Sequence, residues 1–126
     1  MYLWRILPSA NSQYRVGFEY NGEIMVWSEN YTTKAAAQNC IASMKANAPT
    51  APIVDLTQGE TGSGYRFEID TYGSSQFMTR FRASNGEIMV RSEGYTAKHN
   101  AKNCAQSVKA NCADADVIDE TVAKVA

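Results

Sequence analysis

Between residues 14 and 20 apolar and polar side chains alternate: Tyr14, Val16, Phe18 and Tyr20 fall on one parity, Arg15, Gly17 and Glu19 on the other. That two-residue period marks a half-buried β-strand. Asn21-Gly22 follows and supplies the positive φ angles of a tight hairpin turn, so 23–27 is the return strand, with Ile24 and Val26 inward. The chain opens on another strand, 2–7, in which Trp4 and Ile6 take the inner parity.

The period changes beyond residue 32. Ala37, Cys40, Ile41 and Met44 stand at i, i+3, i+4 and i+7, one apolar face of a helix whose small early residues allow close approach to a sheet. Thr32 is positioned as its N-cap, Asn47 suits a left-handed position just past its end, and Pro49 bars continuation. Pro52-Ile53-Val54-Asp55 then reads as a short strand, followed by a segment with Gly59, Gly62 and Gly64.

The whole pattern occurs a second time. Asn-Gly-Glu-Ile-Met-Val stands at 21–26 and at 85–90, and residues 21–47 laid over 85–111 at an offset of 64 are identical at 18 of 27 positions. Upstream the offset is 63, which sets Tyr2, Trp4, Ile6, Tyr14 and Phe18 on Tyr65, Phe67, Ile69, Phe77 and Phe81. The extra residue, within Ala83–Asn85, predicts a longer loop or a bulge in the second hairpin alone. In the second helix Thr96 is the expected cap, Ala101, Cys104, Ala105 and Val108 repeat the stripe, and Asn111 ends it; Asp116-Val117-Ile118-Asp119 is the closing strand. The expected organisation is one domain over 1–126, with a first repeat at 2–57, a linker at 58–64 and a second repeat at 65–121. A unit of about 55 residues has a marginal core, so the two must share one, and pairing each short closing strand with the other repeat meets both needs.

Composition adds the class. With 126 residues, 44% apolar, 20% charged and a net charge of −1, the chain reads as globular rather than disordered or broadly polyanion-binding. No apolar run approaches ~18 residues and the start lacks a basic and then apolar leader, so the expectation is a cytoplasmic protein without membrane partners. Three cysteines without CxxC spacing and one histidine argue against a disulfide framework, a zinc site or a cofactor. Cys40 and Cys104 lie on the apolar stripes, where a thiol is a small hydrophobe; Cys112, just past the second helix, is expected to be the most accessible of the three.

The repeated Asn-Gly-Glu-Ile, Ser-Glu-x-Tyr-Thr and Ser-x-Lys-Ala-Asn motifs resemble those of the YegP-like family, a bacterial domain of unknown function, over about residues 2–119. The resemblance implies an α+β fold: two β3-αβ units forming one antiparallel sheet, helices packed on one face, and the last strand of each unit exchanged. It implies no activity, substrate or catalytic residue.

Helices on one face leave the other to be explained. Strand parity turns every arginine outward, Arg5, Arg15, Arg66, Arg80, Arg82 and Arg91, together with Trp27, Met25, Met78 and Met89. Arginine and aromatics on an open sheet suit single-stranded nucleic acid. Glu19, Glu23, Glu68, Asp70 and Glu87 share that parity, leaving 6 − 5 = +1, so cross-strand ion pairs account for most of the charge. A solvated face is therefore the stronger reading, and of the binding readings a protein-binding or self-associating surface around Trp27 and the methionines ranks above nucleic acid. Ser28, Tyr31 and Lys34, repeated as Ser92, Tyr95 and Lys98, form a conceivable nucleophilic set, but Glu29 and Glu93 near a helix start, tyrosines that staple it and solvated lysines explain them more economically. The expected function is therefore a small non-enzymatic binding module of unknown partner, with nucleic-acid binding through the arginine face, or a small-ligand site or enzyme at the repeat interface, as alternatives.

Overall fold

A computed structural model describes residues 1–122. In chain order it contains β1 (Tyr2–Ser9), β2 (Gln13–Tyr20), β3 (Glu23–Trp27), α1 (Lys34–Asn47) and β4 (Ile53–Asp55), then β5 (Arg66–Tyr72), β6 (Gln76–Arg82), β7 (Ile88–Arg91), α2 (Lys98–Asn111) and β8 (Asp116–Asp119). The fold is α+β. All eight strands form one sheet in the order β4-β5-β6-β7-β3-β2-β1-β8. The two halves meet at its centre through the antiparallel pair Trp27 and Arg91, which are equivalent residues of the two repeats, so a pseudo-twofold axis passes between them.

Each closing strand lies at an edge beside the first strand of the other repeat: β8 beside β1 and β4 beside β5. Both pairings are parallel, so the sheet is mixed and not wholly antiparallel as expected. The reason is geometric: the two repeats run in opposite directions about the pseudo-twofold axis, so a closing strand that runs antiparallel to the first strand of its own repeat is parallel to the first strand of the other.

Lysines of each helix hold these edges in place. Lys45 Nζ in α1 donates to the Ala115 carbonyl before β8 at 2.8 Å, and Lys109 Nζ in α2 donates to the Ala51 carbonyl before β4 at 2.7 Å. Lys34 pairs with Asp119 at 3.0 Å and Lys98 with Asp55 at 3.2 Å, so these two lysines are not the solvated groups the sequence suggested. Every one of these contacts joins a helix of one repeat to the closing strand of the other.

The core lies between sheet and helices. Trp4, Phe18, Phe67 and Phe81 are fully buried, with ring centroids 4.6 Å apart for Trp4 and Phe18 and 4.8 Å for Phe67 and Phe81. The predicted stripes, Ala37, Cys40, Ile41 and Met44 in α1 and Ala101, Cys104, Ala105 and Val108 in α2, are all buried against them. Cys112 is fully buried too, contrary to expectation, because the chain turns inward after α2 and its thiol packs against the Met44 carbonyl at 3.7 Å. Burial pushes the Cys40 thiol up, and those of Cys104 and Cys112 up to about 11.

The helix ends also differ. The N-cap of α1 is Thr33, whose Oγ1 accepts from the Ala36 N–H at 3.1 Å, and at the equivalent place α2 has Ala97 with no side-chain cap. Thr32 and Thr96 fall one residue too early. Asn47 keeps a right-handed backbone, and the Nδ2 groups of Asn47 and Asn111 donate to the Ser43 and Ser107 carbonyls at 2.9 and 2.8 Å, satisfying acceptors that the end of a helix leaves open.

Both hairpins carry a bulge. Phe18 faces Val26 and Glu19 faces Ile24, which leaves Met25 as the extra residue; Phe81 faces Val90 and Arg82 faces Ile88, which leaves Met89. The expected alternation is inverted upstream of each bulge. Met25 and Met89 pack against the core, while Ile24 and Ile88 turn to the solvent face, 40% and 38% exposed.

Candidate interaction surfaces

The outer face of the sheet is divided into three by its charges. In the second repeat Glu68, nearly buried, receives Arg66 Nε at 3.1 Å, Arg80 Nε at 2.8 Å and Arg82 Nε at 2.6 Å, and Arg80 also reaches Asp70 at 2.7 Å. Burial alone raises a carboxyl pKa, but hydrogen bonds from Arg80 and Arg82 outweigh it and hold Glu68 below the ordinary value. In the first repeat Arg5 Nε pairs with Glu19 at 2.8 Å, and Arg5 also binds Glu120. The offset of 63 places Arg5 on Glu68 and Glu19 on Arg82, so the same diagonal ion pair occurs in both halves with its charges exchanged.

The centre is different. Arg15 and Arg91 make no ion pair among the described residues, and both border Trp27: Arg15, Ile24 and Glu93 line a depression of about 400 Å³ on one side of the indole, Glu29, Ile88 and Arg91 a smaller one on the other. Of the seven candidate residues, the fold brings Arg15, Trp27 and Arg91 together, gathers Arg66, Arg80 and Arg82 about Glu68, and sets Arg5 apart. Glu29 and Glu93 belong to this centre and not to the helix starts. Strict alternation hid Ile24 and Ile88, and the extra residue at Ala83–Asn85 is no cue to either bulge: it lengthens the second turn, which the Ala83 N–H closes on the Glu87 carbonyl at 2.8 Å.

In the repeated Ser-Glu-x-Tyr segment the serines hold backbone groups. Ser28 Oγ accepts the Val16 N–H at 2.9 Å and donates to the Glu29 carbonyl at 2.8 Å; Ser92 does the same with Thr79 and Glu93 at 3.0 and 2.8 Å. Each serine thus completes a sheet ladder where the return strand ends. Tyr31 and Tyr95 then pair through their backbones with Tyr14 and Phe77. Their hydroxyls are pushed well above the ordinary phenol value, first by burial and then by the neighbouring thiols of Cys40 and Cys104.

On the helix side, a groove of about 320 Å³ opens between the first hairpin and α2. The bulge at Met25 puts Glu23 here, beside Tyr95, instead of on the arginine face. Glu87 likewise approaches Tyr31, close enough to raise its pKa further. The outward carboxylates of the strands are therefore Glu19, Glu68 and Asp70, without Glu23 and Glu87. Among the described residues, no group of three or more His, Cys, Asp or Glu side chains is placed to hold a metal, and no helix is long and apolar enough to cross a membrane.

Comparison with known proteins follows the duplication. The chain is 33% identical to the UPF0339 protein YegP of Escherichia coli O157:H7 over 119 residues, 94% of this chain and 96% of that protein. A UPF0339 protein of Agrobacterium fabrum is 48% identical over 61 residues, 98% of its length but 48% of this chain, and so corresponds to one repeat. The solution NMR structure of E. coli yegP, described as a protein of unknown function, superposes with a TM-score of 0.76 at 28% identity, covering 94% of this chain and 92% of that one. The model of the domain of unknown function DUF1508 matches residues 9–55 and again 74–119, one match to each repeat, and the chain belongs to that family.

Proposed function

We propose that this chain is a non-catalytic interaction module that self-associates through the centre of its open sheet face, around Trp27. The observation that carries the reading is the pair Ile24 and Ile88. They are equivalent residues, apolar in both repeats, and 40% and 38% exposed beside the indole, although the charges flanking them have been exchanged between repeats. An apolar position kept on a solvent face in both copies is what a contact surface requires.

The charge pattern supports a second copy as the partner. Arg15 and Arg91 are balanced by Glu29 and Glu93 across the pseudo-twofold axis, so the patch complements a second copy of itself, as a twofold interface demands. The same balance disfavours nucleic acid, because Arg5, Arg66, Arg80 and Arg82 are already engaged by carboxylates.

Sedimentation velocity over a concentration series tests this. The expected result is reversible dimerisation that Ile24→Glu with Ile88→Glu abolishes while the melting temperature stays within a few degrees. A chain that remains monomeric up to about 1 mM, where even a weak interface would be populated, overturns the proposal.

A further inference from the structure

We infer that the groove between the first hairpin and α2 is a binding site for a small organic ammonium compound, with Glu23 as its counter-charge. This inference is independent of the self-association reading, which concerns the opposite face.

The chemistry of the lining carries it. Glu23 is exposed, makes no ion pair among the described residues, and is the sole ionised group in the groove. Tyr20 and Tyr95 offer aromatic rings, a surface that attracts a cation through the negative face of the ring. Tyr20 is held in place by Tyr2, with ring centroids 4.4 Å apart, so this wall is formed before a ligand arrives. Asn100, Asn103 and Ser107 project from one face of α2 and supply amide and hydroxyl groups for the ammonium hydrogens or for a polar substituent, and Met25 gives an apolar floor. A volume of about 320 Å³ suits a compact ligand rather than a polymer.

The duplication points to the same place. At the offset of 64, Glu23, Met25, Tyr95, Asn103, Cys104 and Ser107 correspond to identical residues at Glu87, Met89, Tyr31, Asn39, Cys40 and Ser43. Packing explains the retention of the buried methionine, tyrosine and cysteine. It does not explain why Glu23 and Glu87, or Asn39 and Asn103, all exposed, are the same in both copies, on a chain whose outer face has exchanged an ion pair. The equivalent position beside α1 is packed alike, with the Cys40 thiol against the Met89 carbonyl at 3.9 Å as Cys104 is against Met25 at 3.8 Å. It has Ala36 in place of Asn100 and Ala83-Ser84 in place of Tyr20, so it lacks one amide and the aromatic wall. One strong site per chain is therefore expected.

The test is proton–nitrogen correlation NMR of the full chain titrated with n-butylamine and, separately, with n-butanol, a neutral molecule of the same shape. Butylamine should move the signals of Tyr95, Asn100, Asn103 and Ser107 saturably, with butanol at least about tenfold weaker. Glu23→Gln, an exposed substitution that should leave the dispersed spectrum intact, should remove that preference, whereas Glu29→Gln and Glu87→Gln should preserve it. Unmoved groove signals in the natural chain, equal response to the two probes, or undiminished amine binding by Glu23→Gln would each overturn the inference.

Discussion

The indole N–H of Trp4 donates to the Cys112 carbonyl at 2.9 Å across 108 residues of sequence. Both groups are buried, and the bond ties the first strand of one repeat to the end of the other repeat's helix. Trp4→Phe, which installs the residue found at the equivalent Phe67, should cost about 2–3 kcal/mol, from an acceptor left without a donor and from lost volume. Urea unfolding measures it; a loss below about 0.5 kcal/mol would mean that the bond is dispensable.

Thr79 points the other way. It stands where the first repeat has Val16, is 1% exposed, and its Oγ1 has no hydrogen-bond partner. A buried hydroxyl without a partner costs free energy that a methyl group does not. Thr79→Val should therefore be neutral or stabilise by up to about 1 kcal/mol, and destabilisation beyond that in the same unfolding assay would show that the hydroxyl is satisfied in solution.

An isolated first repeat, residues 1–57, keeps β1 to β4 but loses β5 and β8, the strands that β4 and β1 pair with. Two copies can replace those pairings mutually, so the fragment should fold as a dimer whose melting temperature rises with concentration. The single-repeat length of the Agrobacterium fabrum relative is consistent with a unit of that size. A folded monomeric fragment in sedimentation equilibrium would contradict the shared sheet.

Acid stability should report on Asp55. Burial raises its pKa, but the Thr57 hydroxyl, Lys98, Lys102 and the Thr57 N–H together bring it down to about 2. A folded pKa below the ordinary aspartate value of about 3.9 means that this contribution is present above pH ~4 and is lost as pH falls toward the folded value. Asp55→Asn should lower the melting temperature at neutral pH and reduce its slope between about pH 4 and 2; an unchanged slope would assign the acid transition to other carboxylates, Glu68 foremost.

What the sequence disclosed followed its periodicities. Two strands of strict alternation, an Asn-Gly turn and an i, i+3, i+4, i+7 stripe, each occurring twice, were enough for the strands, the helices and the shared core. The misreadings came from effects that leave no period. A bulge at Met25 changed which face each residue of the hairpin occupies, one residue of slack moved the cap from Thr32 to Thr33, and a turn after α2 carried Cys112 inside. The lysine contacts to Ala51 and Ala115 were invisible for a plainer reason: they depend on how one repeat lies against the other, and no local pattern encodes that.

The bulges have a reach beyond their own hairpins. With an unbroken pleat, Ile24 would enter the core side and Glu23 would join the arginines; the inserted methionine trades the two between faces. The backbone thus works as a phase shifter: one surplus residue sets both the apolar character of the outer centre and the acidity of the groove behind it. Straightening the first hairpin would take Ile24 from the outer centre and Glu23 from the groove at once, although the two surfaces face away from each other.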